Sequence, residues 1–331
     1  MIFSNTPRVR LLDHETPLTH TKNLGDTLGH PAIYFKRDDV MELGMAGNKV
    51  RSLEFWLGDA IAKKASVVLV AGLPESNLCR LTATACAKLG LKCIVVHNGD
   101  EDEVKANRIG NPLLNHILGV ETLYLGNCDE FERARFIKEH ASYLEKSGEK
   151  PYIVGDPVIG AMGYVNAALE LVSQAERMNI DLYDIFIGAS GGPTSIGFLY
   201  GLALFGKSFR LHLISAEYER NVFDDITNEI FNGLCTALDL TPPAKPKDIS
   251  VFYDDYLGAG YAKPTKRAIS ASTLLAQKEG FFVELTYNAK VLDGMMSLIE
   301  NGTVRKDRAA CFCLTGGAPA LFAQGKHFDG L

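Results

Sequence analysis

The chain has 331 residues, of which 47% are hydrophobic and 22% charged, with a formal net charge of −6. That balance belongs to a globular protein with a sizeable core, and the length suits two lobes better than one. A mildly acidic chain without a basic block excludes nucleic acid and anionic membranes as partners, although local dipoles can still hold a small anion.

The opening stretch MIFSNTPRVRLLDHETPLTH lacks the apolar segment of a secretory signal. No later apolar run is long enough to span a bilayer, so a cytoplasmic protein is expected. In MAGNKVRSLEF (45–55) a glycine and an asparagine lead into an amphipathic helix carried by Val50, Leu53, Leu57 and Ile61, which leaves Lys49 at the helix start. SVVLVAG (66–72) reads as a strand buried on both faces. AGLPESNLCR (71–80) then opens a helix that Ser76 or Asn77 can cap and that Gly90 closes. KCIVVH (92–97) is the next strand, Val165, Leu169 and Val172 mark a helix, and DIFIGAS (184–190) is a strand running into the glycine turn GASGGPTS (188–195). After the helix IGFLYGLALFG come the strand LHLISAEY (211–218), the surface connection TPPAKPKD (241–248) and a further strand, FFVELTY (281–287). The helix VLDGMMSLIENG, the strand AACFCLT (309–315) and the turn LTGGAP (314–319) complete the chain.

Strands alternating with helices imply an α/β fold of parallel sheets, in which ligands sit at the carboxyl ends of strands. The glycine turn at 188–195 would present backbone N–H groups and a helix dipole to a phosphate. Residues 188–192 also fit G-x-S-x-G, which makes Ser190 a candidate nucleophile of a serine hydrolase. After Ser190 only His212 and His327 remain to complete such a triad, and His212 falls inside a predicted strand. The seven cysteines include no Cys-x-x-Cys pair and the eight histidines have no metal-binding spacing, so neither disulfides nor a metal is expected. Tyr256, Tyr261 and Tyr287 lie near predicted loops or strand ends, where packing alone accounts for each. A phosphate cradle, aromatic hydroxyls and a lysine amine whose pKa burial can lower would together suit pyridoxal phosphate held as an imine on Lys49.

The blocks FKRDDV, AGNKVRSLEFWLGDA, SNLCRLTATACAKLGL, GAMGYVNAALEL, DDYLGAGYAKP, EGFFVELTYNAKVLDGM and LTGGAPALFA span nearly the whole chain. In them the sequence resembles the D-cysteine desulfhydrase and 1-aminocyclopropane-1-carboxylate (ACC) deaminase branch of the tryptophan-synthase-β-like enzymes. The resemblance implies a fold type II pyridoxal phosphate enzyme, two-lobed, with open twisted parallel sheets, helices on both faces and the cofactor in the cleft between lobes. It implies a large domain of residues 1–52 and 164–331, a small domain of 53–163, and a homodimer. Lys49 matches the lysine that holds the cofactor and moves protons. Ser76 and Asn77 match the substrate-carboxylate pair, with Ser76 also a candidate acid/base and Asn77 able to reach the cofactor. Ser190, Gly191, Gly192 and Thr194 match the phosphate loop. Tyr261 and Tyr287 match two active-site tyrosines, and Thr315 a threonine near the pyridine nitrogen.

Several positions depart from the family pattern. Leu78 and Leu314, expected at the substrate, replace polar residues, Glu75 replaces a glutamine, and Pro193 removes an N–H donor from the phosphate loop. Asn288 stands where the deaminases carry a glutamate and the desulfhydrases a threonine; a neutral amide weakens the electron sink and favours β-elimination over ring opening. The reading that follows is a carbon–sulfur lyase acting on a small amino acid and releasing a keto acid, ammonia and a group such as sulfide. Its alternatives are an ACC deaminase, a lyase or racemase for a non-standard amino acid, a non-catalytic binding protein and, outside the family, the serine hydrolase.

Overall fold

The computed structural model describes residues 2–4 and 6–329. Among the described residues ten strands divide between two sheets. The larger contains β1 (Leu18–His20), β2 (Ile33–Arg37), β7 (Leu182–Ala189), β8 (Arg210–Ser215), β9 (Ser250–Tyr253) and β10 (Ala309–Leu314), in the order β1-β2-β10-β7-β8-β9. Only β1 runs antiparallel to its neighbour. The smaller sheet, β5-β4-β3-β6, joins β3 (Val67–Gly72), β4 (Lys92–His97), β5 (Glu121–Tyr124) and β6 (Pro151–Ile153), all parallel. Both faces of the larger sheet are covered. Ile185, Leu213 and Cys311 pack under the helices Pro157–Arg177, Pro193–Ala203 and Arg220–Leu238, while Phe186, Ile214 and Phe312 pack under Lys266–Glu279 and Asn288–Glu300. Burial on both faces is why these strands are continuously apolar instead of alternating.

The expected domain limits fall inside two unbroken helices, Lys49–Ala62 and Pro157–Arg177. These helices meet where a Cβ on Gly163 would collide with the carbonyl of Arg51, so only glycine lets them come this close. Beneath the contact Arg51 donates to Asp38 at 2.8 and 2.9 Å and to Glu170 at 2.9 and 3.0 Å, and the Tyr164 hydroxyl reaches Asp38 at 2.6 Å. Removing one member would strand a buried charge, so the cluster fixes the orientation of the helix that begins with Lys49.

FFVELTY is not a strand. Residues 281–287 are irregular and turn into the helix Asn288–Glu300. The alternation that suggested a strand is real, since Val283 and Leu285 are buried, but Glu284 draws in the N–H groups of Thr286, Tyr287 and Asn288 and bends the chain. β8 likewise stops at Ser215, which releases Glu217 into the loop beyond. Ile61 is 44% exposed and contributes little to its helix's core face. TPPAKPKD is a surface connection apart from its buried Pro242 and Ala244 and the short helix that begins at Pro246.

Candidate active site

Lys49 follows four consecutive residues of left-handed φ: Gly44 (56°), Met45 (61°), Ala46 (61°) and Gly47 (131°). Such backbone is costly at Met45 and Ala46, and it persists because Arg80 clamps it from the neighbouring lobe. The Arg80 guanidinium donates to the carbonyls of Gly44 and Ala46 and, at 2.7 Å, to Asn111 Oδ1. Asn48 ties the turn to two other parts of the site, its N–H to the Thr315 carbonyl at 2.8 Å and its Nδ2 to Thr194 Oγ1 at 2.9 Å. Burial lowers the pKa of the Lys49 amine to about 8, against an opposing pull from the Glu217 carboxylate. An amine at that value is neutral in about a tenth of molecules at pH 7, where a solvated lysine almost never is.

At the end of β7, Ser190 donates its hydroxyl to Glu217, and Gly192 takes φ 99° just before the helix Pro193–Ala203. A Cβ on Gly191 would meet no protein atom within 4 Å, so an open space lies against this helix N-terminus. Pro193 occupies the first helical position, where its fixed φ preorganises the turn. An open cradle at a helix N-terminus, beside a buried amine, fits the phosphate and aldehyde ends of pyridoxal phosphate. Ser190, Gly191, Gly192 and Thr194 would hold the phosphate and Lys49 the aldehyde carbon.

The hydrolase triad does not form. Ser190 pairs with Glu217, whereas His212 lies fully buried in β8 with both ring nitrogens engaged, to Asp184 at 2.8 Å and to the Tyr253 hydroxyl at 3.1 Å.

The Tyr261 and Tyr287 hydroxyls share a 2.6 Å hydrogen bond, and burial raises the pKa of both. The Glu217 carboxylate acts on these two tyrosines and on Lys49, so the three surround one charge. Ser76 caps the helix Asn77–Leu89, its Oγ accepting from Cys79 N at 3.3 Å. Asn77 Oδ1 accepts from Asn111 Nδ2 at 2.9 Å. Leu78 is half-buried against the core of the small sheet. Leu314 is fully buried among Val291, Leu292 and Phe312, so it borders the site through its chain neighbour Thr315 and not through its own side chain. Thr315 Oγ1 donates to Asn288 Oδ1 at 3.0 Å. Arg80, Glu217 and Glu284 carry no local pattern in the sequence that marks them as site residues. The first two looked like ordinary polar positions on a helix and a strand, and only the paired strand ends brought them inward.

Residues 9–316 match the profile of the pyridoxal-phosphate dependent enzymes. A D-cysteine desulfhydrase of Serratia proteamaculans is 33% identical over 96% of this chain and 96% of its own. A putative ACC deaminase of Pyrococcus furiosus is 32% identical over 98% of this chain and 96% of its own. The crystal structure of an ACC deaminase homologue superposes with a TM-score of 0.89 at 31% identity, covering 98% of this chain and 96% of that one. Among the described residues no helix is long and apolar enough to cross a membrane.

Proposed function

The chain belongs to the pyridoxal-phosphate dependent enzymes, and from that premise we propose that it is a lyase carrying out β-elimination on a small amino acid, in the manner of a D-cysteine desulfhydrase. When bound, the cofactor stabilises negative charge at the substrate α-carbon. The observation that carries the proposal is the Lys49 amine, brought to about 8, which feels the same Glu217 carboxylate as a tyrosine pair held at 2.6 Å. Neutral Lys49 Nζ accepts the α-proton, with Ser76 Oγ as the alternative base. Ser76 and Asn77, at the start of their helix, orient the substrate carboxylate through hydroxyl, amide and backbone N–H groups. Tyr261 and Tyr287 stay protonated because burial raises their pKa, and so keep a proton to donate to the departing group. The half-buried Leu78 makes that wall apolar and sets preference among substrates.

A cytoplasmic homodimer completes the proposal. All seven cysteines are free, which suits a reducing compartment, and dimerisation rests on the resemblance.

ACC deamination is a second reading, favoured by one observation: the carboxylate of Glu284 lies directly behind neutral Asn288. D- and L-amino acids bearing β-leaving groups, assayed for keto acid beside ACC, separate the two. Turnover of D-cysteine or an analogue supports elimination, and turnover of ACC alone overturns it.

A further inference from the structure

Glu284 is a buried carboxylate, 1% exposed, to which the mechanism above gives no task. All its hydrogen-bond partners are donors: the backbone N–H groups of Thr286 at 2.7 Å, of Tyr287 at 3.1 Å and of Asn288 at 2.8 Å, and Asn288 Nδ2 at 3.1 Å. Among the described residues none of these donors is a cationic side chain. Lys290, the only basic residue of the helix, directs its Nζ to the carbonyls of Leu257 at 2.9 Å and Gly260 at 2.8 Å. Burial pushes the Glu284 pKa up while its N–H donors pull it down. A protonated carboxyl would set an O–H against one of those donors, so the hydrogen-bond geometry favours the ionised form.

The carboxylate fixes the direction of every hydrogen bond that follows. It can only accept, so Asn288 must turn Nδ2 toward it, and that amide also donates to the Gly316 carbonyl at 2.8 Å. Asn288 Oδ1 therefore faces Thr315 and accepts from both its N–H at 3.1 Å and its hydroxyl at 3.0 Å. Having spent its only proton on Asn288, the Thr315 hydroxyl has nothing but lone pairs left for a ligand. The same residue accepts from Asn48 N, next to Lys49, so the chain of bonds ends at the reactive lysine's turn. The resemblance sets Thr315 near the ring nitrogen of bound pyridoxal phosphate, and of that nitrogen's two forms only the protonated one could donate to such an acceptor.

We propose that Glu284 is a positioning residue that, through Asn288 and Thr315, makes this wall of the site an acceptor and so holds the ring nitrogen of the bound cofactor in its protonated form. Asn288 then passes on the charge it lacks. This reverses the argument from its neutrality, because the electron sink is strengthened from one residue further back.

The test uses the holoprotein reconstituted with pyridoxal phosphate labelled with nitrogen-15 in the ring, whose chemical shift reports the protonation of that nitrogen without any turnover. The outcome is therefore independent of which substrate the enzyme takes. Wild type is expected at the pyridinium position and Glu284→Gln shifted toward free pyridine. Asn288→Glu added to Glu284→Gln, which moves the carboxylate one step forward, is expected to return the signal to pyridinium. That rescue would not follow if Glu284 served the fold alone. A free-pyridine signal in wild type, a pyridinium signal in Glu284→Gln, or a double variant that stays at pyridine overturns the proposal. Should Glu284→Gln not fold, Asn288→Ser decides, since it cuts the link and leaves the helix cap in place. A shift toward pyridine supports the relay, and an unmoved signal ends it.

Discussion

Burial of the Lys49 amine has a cost to folding that one substitution can expose. The folded amine titrates at about 8 against 10.5 for a solvated lysine, so between those values the unfolded chain binds a proton that the folded chain has released. Stability of the apoprotein therefore rises with pH across that window, and below about 8 the full cost of burying the cation is present. A shift of this size corresponds to at most about 3 kcal/mol at pH 7, reduced to about 1–3 kcal/mol by screening, because Lys49 as a whole is only partly buried even though its amine is enclosed. Lys49→Met keeps the packed stem and removes the charge. The variant apoprotein is expected to be more stable than wild type at pH 7 by that amount in urea unfolding, and to lose its advantage as pH rises past about 10.5, above which wild-type Lys49 becomes neutral in both states. The gain in stability would come with loss of borohydride-trappable cofactor. A variant no more stable at pH 7, or an advantage unchanged at high pH, would refute the reasoning.

Gly191→Ala places a methyl group in open space at ordinary φ, so thermal stability should match wild type while cofactor affinity in equilibrium titration falls about tenfold or more. Gly192→Ala, by contrast, meets Ile230 and a left-handed backbone, and should lower the melting temperature itself. Arg80→Met leaves the Gly44 and Ala46 carbonyls without their donor, at about 1–3 kcal/mol for each buried group, so denaturant unfolding should show a loss of several kcal/mol together with weaker trapping at Lys49. Leu78→His returns a polar group to the substrate wall and should raise keto-acid production from D-cysteine; no change or a fall would remove Leu78 as a specificity determinant.

The α/β class and most of the buried strands were legible because burial on both faces leaves uninterrupted apolar runs. KCIVVH matches β4 to the residue, and AACFCLT differs from β10 only by Thr315. The edge strands β1, β5, β6 and β9 were not legible, being three or four residues long with too little pattern to register. The failure at FFVELTY has a single cause. Val283 and Leu285 carry a strand's period, and only a carboxylate capturing three successive N–H groups breaks it. The glycine turn and Thr315 were singled out by type and position at predicted strand ends, and Lys49 at a predicted helix start. Leu314 was expected beside the substrate, but strict alternation along β10 turns it into the core under Asn288–Glu300.

The sequence by itself determined the layered architecture, the family and the list of groups able to do chemistry, because those depend on local period, glycine geometry and residue type. Tertiary structure decided how these groups act on one another. The value of about 8 at Lys49 depends on burial and on Glu217, 168 positions along the chain, and the polarity of Thr315 depends on Glu284 acting through Asn288. Charges and hydrogen-bond directions are set by what lies across a gap of a few ångströms, and no pattern along one strand or helix encodes that neighbour.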